Sequence, residues 1–350
     1  MITPLTQIVV ILAMLPIAHF LPRKGRLLLM SGAGAMLLLL VAPASAWMIL
    51  LICLQGLVLE ALLRNLPKSS MLRQYLPYLL LLNMFYTDIV NGLDSLDLAT
   101  VSVAFAVIRV FMTTKQLLGL PNTTWQSRVG SLATGGFFLP VIVIGPVLSG
   151  TTLWTQAKPN GKEAPGTTEW MYRKMFFGWM LAALIAPGMA QLAGEYGLDS
   201  WAAPFLMIAL FLNLFASFWG LSLIAEAGAS LTGFTVPQNF NRPWLAIDIR
   251  DFWSRWHTSM AKFVMQYIFL PLNLRGVKPR AATVAAFVFM GLWHEVQTGY
   301  LIWGFSHGLM MAYAPKITPG SERLRRIVSR VGTLSSVIIL SYVANYVFKS

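Results

Sequence analysis

The residues of this chain best suited to move a proton are its four histidines, and three of them, His257, His294 and His307, fall in a stretch from Pro237 to His307 that is otherwise rich in apolar residues. Each has aromatic company, in SRWHTSM, GLWHEVQTGY and GFSHGL. Imidazole titrates nearest neutrality, and burial favours its neutral, proton-accepting form. His294 follows the uncharged run Ala281 to Trp293, so the sequence predicts a partly desolvated ring there, fit for general-base work. An ionisable group in or beside a membrane span costs on the order of 2.5–3.5 kcal/mol for the charged types, which demands a functional reason.

Two other chemistries fit less well. No pair of these histidines has the i, i+3 or i, i+4 spacing of a metal site on one helix, and no carboxylate-rich helix accompanies them, so no metal is expected. A nucleophile triad lacks its Gly-x-Ser-x-Gly elbow or a nearby thiol. The single cysteine, Cys53, lies in an apolar run, excludes an intramolecular disulfide and reads as a small buried hydrophobe. His19, at the basic end of the first apolar run, reads as an interfacial side chain.

The elements that must position these groups are those of a membrane. Hydrophobic residues make up 57% of the 350 and charged ones 11%, against about 25% charged in an ordinary soluble domain. The mean hydropathy is +0.66. Runs long enough to cross a roughly 30 Å hydrocarbon layer recur along the chain, which predicts an all-α, multi-pass membrane protein. About ten to twelve hydrophobic segments are expected, some re-entrant or partial around a central cavity. They would form one integral domain over 1–350: N-terminal spans in 1–130, a histidine-bearing core in 131–315, and a basic loop with a last span in 316–350.

The net charge of +13 sits in short turns between apolar runs, the positive-inside pattern, and this argues against nucleic acid as a partner. The APASA string after Leu37 follows an earlier apolar segment that has no basic leader, so no cleaved signal peptide is expected and the first segment is retained. Spans are predicted from about Pro4 to Leu21, Leu27 to Val41, Trp47 to Leu63, Tyr75 to Val90 and Leu98 to Met112. Basic RKGR and RNLPKSSMLR alternate with neutral APAS and with the acidic loop carrying Asp88, Asp94 and Asp97, which places the N-terminus outside.

GGFFLPVIVIGPVLSGTTLW is apolar but broken by glycine and proline, and basic loops flank it on both sides, so it is expected to enter and leave on one face. Such irregular backbone needs protein or water to satisfy it, and a central cavity is expected beside it. Spans follow from Met175 to Ala193, reaching acidic GEYGLDS, and from Trp201 to about Ile224, with Glu226 at its end as an interfacial or cavity-lining carboxylate.

Leu245, Ile249, Phe252, Trp256 and Met260 recur at helical spacing opposite Asp248, Asp251, Arg255, Ser259 and Lys262, which predicts one amphipathic helix with His257 on its flank. Phe263 to Leu272 reads as a partial insertion, Ala281 to Trp293 and Tyr300 to Tyr313 as spans, KITPGSERLRRIVSR as a basic inner loop, and Val331 to Val347 as the last span.

NFNRPWLAIDIRDFWSRWH followed by GLWHEVQTGYLIWGFSHG closely resembles the membrane-bound O-acyltransferase family, in particular its bacterial branch that acylates cell-surface polymers. Leu139 to Val147 is similar to that family's FFP-x4-GPI segment, and the likeness runs from Phe137 to His307. The resemblance implies that His294 is the active-site base, that His257 is its partner across a cavity, and that His307 packs or hydrogen-bonds. It further implies an acyl-coenzyme A or acyl-carrier thioester as cytoplasmic donor substrate, no resident cofactor, and an acetyl or other short acyl group moved toward an extracytoplasmic polysaccharide. A partner protein that accepts the group or modifies the polymer is implied beside it. Carrier-dependent D-alanyl transfer and lipid acylation are the alternatives within this chemistry, and a transporter or scaffold the alternative outside it. The bacterial cytoplasmic (inner) membrane is the implied location. Glu295 stands where the family usually has glycine, and Ser217 and Leu223 where it has aspartates, departures that bear on the acceptor more than on the reaction.

Overall fold

The computed structural model describes residues 3–85, 98–159, 161, 164, 166–194, 203–315 and 323–347, and among them every regular element is helical and none is a strand. Among the described residues six helices are long and apolar enough to cross a membrane: Arg23–Val41, Pro43–Leu63, Val101–Gly119, Thr168–Gly194, Ala203–Leu231 and Arg323–Val347. Pro4–Phe20 is a shorter apolar helix. A helix closes its own backbone hydrogen bonds, as hydrocarbon requires.

Several predicted boundaries move outward. Arg23, Lys24 and Arg26 open the second helix, and Arg323, Arg325, Arg326 and Arg330 belong to the last helix instead of to a loop. Long basic side chains can lie along a helix and still reach water, so charge alone does not end one. The predicted spans at 281–293 and 300–313 are the helices Pro279–His294 and Thr298–Tyr313, each of 16 residues. At 1.5 Å per residue each is roughly 24 Å long, less than the hydrocarbon layer. The predicted span from Tyr75 begins as a 3-10 turn, Leu76–Leu82. Asp88, Asp94 and Asp97, the acidic turn after Gly194, and residues 316–322 lie outside the described residues.

Chain contacts divide the molecule into two units, residues 1–180 with 220–237 and residues 181–219 with 238–350. In the first, the segment rich in glycine and proline is broken as its sequence suggests. One helix ends at Phe137, a 3-10 turn covers Leu139–Val141, irregular backbone follows, and Gly150–Gln156 resumes the helix. Protein side chains meet its carbonyls. The fully buried Arg109 guanidinium donates to the oxygens of Gly135 (2.8 Å), Val141 (2.9 Å) and Gly136 (3.4 Å). The Gln7 amide donates to those of Leu139 (3.2 Å) and Pro140 (2.9 Å). Glu60, also fully buried, pairs with Arg128 at 3.1 Å and Arg64 at 3.4 Å. Glu226 lies inside the Ala203–Leu231 helix, where it is buried and bonded to Lys174. His19 is exposed at the end of Pro4–His19, and Cys53 is buried.

In the second unit the continuous amphipathic helix expected over 245–262 does not form. A 3-10 turn, Pro243–Leu245, precedes Ile249–Arg255, and a second helix starts at Thr258. His257 between them takes a left-handed backbone, φ 44° and ψ 50°. Apolar residues kept their helical spacing across this break, so periodicity could not reveal it. The freed groups are taken by the preceding extended segment: Asn241 N–H donates to Arg255 O (2.9 Å), Thr258 N–H to Asn239 O (3.0 Å) and Thr258 Oγ to Gln238 O (2.5 Å). Asp248 caps the first helix through the Asp251 N–H (2.8 Å), and both it and Ser259 are buried despite their place on the predicted polar stripe.

Pro279–His294 and Thr298–Tyr313 form a close hairpin. A side chain at Gly291, Gly304 or Gly308 would collide with the backbone of the facing helix, so these glycines allow main chain to lie on main chain. The turn between them holds Glu295 and Gln297, both buried, with the Gln297 amide donating to Glu295 Oε1 at 2.5 Å.

Candidate active site

That hairpin sets the site. The C-terminal residue of one arm is His294, while Tyr300, Trp303 and His307 on the other arm are spaced i, i+3 and i+7 and share a face. The break at Trp256 and His257 brings the remaining ring in from another element. As a result His257, His294 and His307 line one cavity of about 90 Å³, walled by Phe218, Trp253, Trp293, Trp303 and Tyr300 among others. The rings form a continuous aromatic cluster. His294 stacks on Tyr300 (centroids 5.3 Å apart, planes 13° apart) and meets Trp293 at 4.9 Å and Trp303 at 5.5 Å. His257 stands edge-on to Phe218 at 4.7 Å and lies 6.2 Å from Trp293.

The three imidazoles are held differently. His307 is fully buried, and its Nδ1–H donates to the Trp303 carbonyl (2.9 Å), which makes Nε2 the lone-pair nitrogen. His257 is buried and its Nδ1–H donates to Asn239 Oδ1 (3.3 Å), an oxygen that also accepts from Ser259 Oγ (2.6 Å). Burial, and after it the neighbouring His294, pushes the titration of His257 from an ordinary 6.5 down to about 3, so it is neutral at physiological pH. His294 is the exposed member. Among the described residues neither of its nitrogens has a hydrogen bond to protein, and it opens on the cavity.

His294 lies at the end of an apolar helix, and burial among the surrounding rings holds its titration below the ordinary imidazole range, in line with the predicted partial desolvation, while the residue still faces the cavity. Glu226 and His19 belong to the first unit, and neither lines this cavity. Among the described residues no group of three or more metal-ligating side chains occurs. Asn239, Tyr300 and Asn345 were not identified from sequence as site residues. The Tyr300 hydroxyl donates to Asn345 Oδ1 at 2.7 Å, and both residues line the cavity. An asparagine in an apolar terminal span was the available signal for the last of them.

The described residues are all-helical, with several helices apolar enough to cross a membrane, and the chain belongs to the membrane-bound O-acyltransferase family, whose model matches residues 136–324. Among curated proteins it is similar to the peptidoglycan O-acetyltransferase of Helicobacter pylori, 25% identical over 191 residues, covering 50% of this chain and 35% of that one. It is likewise similar to the teichoic acid D-alanyltransferase of Streptococcus thermophilus, 25% identical over 193 residues, 49% of this chain and 46% of that one. The probable alginate O-acetylase AlgI of Pseudomonas aeruginosa is 31% identical over 183 residues, 49% of this chain and 34% of that one. The chain thus matches between about a third and a half of the length of these relatives.

Proposed function

We propose that this protein is an O-acyltransferase that moves an acetyl or other short acyl group from a cytoplasmic thioester, acetyl-coenzyme A foremost, toward an extracytoplasmic polysaccharide or a partner protein that acylates one. The carrying observation is His294: an imidazole with no hydrogen bond to protein among the described residues, facing a cavity that two further histidines line. Such a ring is placed to accept a proton from a bound hydroxyl. In the step we assign, the acceptor O–H gives its proton to His294 as its oxygen bonds to the thioester carbonyl carbon. The C–S bond then breaks and the departing thiolate takes the proton back. His257, held by Asn239, orients the acyl group or donor across the cavity. The tight volume, walled by rings, suits a short acyl group and keeps bulk water from the thioester.

The same reading places the protein in the bacterial inner membrane with its N-terminus outside, and treats the broken segment at 135–154 as re-entrant within a single integral domain. Carrier-dependent D-alanyl transfer shares the geometry, since base and thioester are common to both. Purified protein supplied with acetyl-labelled acetyl-coenzyme A tests the reading. Free thiol release and label transfer, both lost in His294→Ala, are expected; thiol release that survives unchanged in His294→Ala refutes it.

A further inference from the structure

A second cavity, of about 180 Å³, adjoins the histidine cavity: Phe211, Leu214, Ser341 and Asn345 line both. Its polar lining consists of Asn213, Ser217, Ser341, Tyr342, Asn345 and Tyr346. These residues lie on two of the six helices fit to cross a membrane, Ala203–Leu231 and Arg323–Val347. Asn213 and Ser217 are one helical turn apart, as are Ser341 and Asn345, so each helix turns one polar stripe to the same space. Polar side chains in membrane helices are expensive and commonly mark a substrate path.

Two features separate this lining from structural polarity. The side chains of Asn213, Ser217 and Ser341 have no hydrogen-bond partner among the described residues, whereas Asn345 is fixed: it accepts from the Tyr300 hydroxyl (2.7 Å) and donates to the Ser341 carbonyl (2.7 Å). The backbone over Val343–Val347 is a π-helical turn, a local distortion that recurs at functional sites. The Tyr342 and Tyr346 rings stack at 5.3 Å with planes 20° apart and give the cavity a flat apolar wall with hydroxyl rims.

Among the described residues no Asp, Glu, Lys, Arg or His lines this second cavity. A phosphate or carboxylate ligand would find no countercharge here. Amides and hydroxyls both donate and accept, which matches vicinal hydroxyls, and an aromatic face matches the C–H face of a sugar ring. We infer that this neutral annex is the acceptor subsite, that its ligand is an uncharged carbohydrate, and that the Tyr300–Asn345 bond is the bridge across which one sugar hydroxyl is presented to His294. The inference rests on the acyl-transfer reading for its purpose but not for its test.

Binding is measured by isothermal titration on the full chain in detergent with an uncharged hexose tetrasaccharide, and with a hexuronate tetrasaccharide of equal length. The neutral sugar is expected to bind at millimolar concentration, and the charged one about tenfold more weakly or worse. Asn213→Leu and Ser341→Ala are each expected to weaken neutral-sugar binding about tenfold, while Ser335→Ala, on the same helix but lining neither cavity, leaves it unchanged. Thermal midpoints identify the variants that fold, and the milder Ser341→Ala decides if Asn213→Leu does not. No binding of the neutral sugar, equal binding by the annex variants, or preference for the charged sugar overturns the inference. The transfer reading is judged separately, by thiol release in His294→Ala.

Discussion

In the first unit Arg109 and Gln7 close on backbone carbonyls, Glu60 is held by Arg64 and Arg128, and Glu226 by Lys174. In the second unit His294, Asn213, Ser217 and Ser341 line cavities with no side-chain hydrogen bond to protein among the described residues. Both sets are polar groups in an apolar chain, where leaving a group unpaired is unfavourable. Their opposite treatment separates two uses. The named side chains of the first unit satisfy irregular backbone or one another, whereas these four of the second unit face cavities, where the proposed ligands would meet them.

Substitutions in the two units should therefore fail differently. The largest effect is expected from His294→Ala, which should lower acyl transfer about 10²–10⁴-fold, the usual worth of a general base, with little change in thermal midpoint. Arg109→Leu should do the reverse. It strands three carbonyls in the broken segment and should cost about 3 kcal/mol or more of stability, read as a lower unfolding midpoint and a smaller folded yield. A transferase defect without loss of stability in Arg109→Leu would erase the distinction.

Acidification sharpens the second unit. Because the native state holds His257 unprotonated to about pH 3 while the unfolded chain takes up a proton near 6.5, its stabilising contribution is complete above pH 6.5 and is lost as pH falls toward 3. His257 alone should account for about 2 kcal/mol of the loss of stability between pH 7 and pH 5, and His257→Gln should make the slope shallower by that amount. The smallest effect is expected from Tyr300→Phe, which removes the bond to Asn345 and should cost about 1 kcal/mol by thermal unfolding.

Much of the fold could be read from the residues. Helix existence followed from apolar run length, and the break at 135–154 from its glycines and prolines. The left-handed turn at His257 could not be read, because Leu245, Ile249, Phe252, Trp256 and Met260 keep a helical period whether or not the backbone between them is continuous. Arg109 is the converse case. An arginine in an apolar run is conspicuous, yet its partners are carbonyls that no side-chain pattern announces. For the site, His257, His294 and His307 line one cavity, and it was the family likeness that paired the first two. Asn345, far along the chain on the last helix, meets Tyr300 only through tertiary packing.

Histidine accessibility tests the account most directly. With purified protein in detergent at neutral pH, diethyl pyrocarbonate should carbethoxylate His294 well before the buried His257 and His307, as followed by peptide mass spectrometry. That reaction should abolish thiol release from acetyl-coenzyme A, and saturating donor should slow it. An unreactive His294, or one whose modification leaves thiol release intact, would contradict the account.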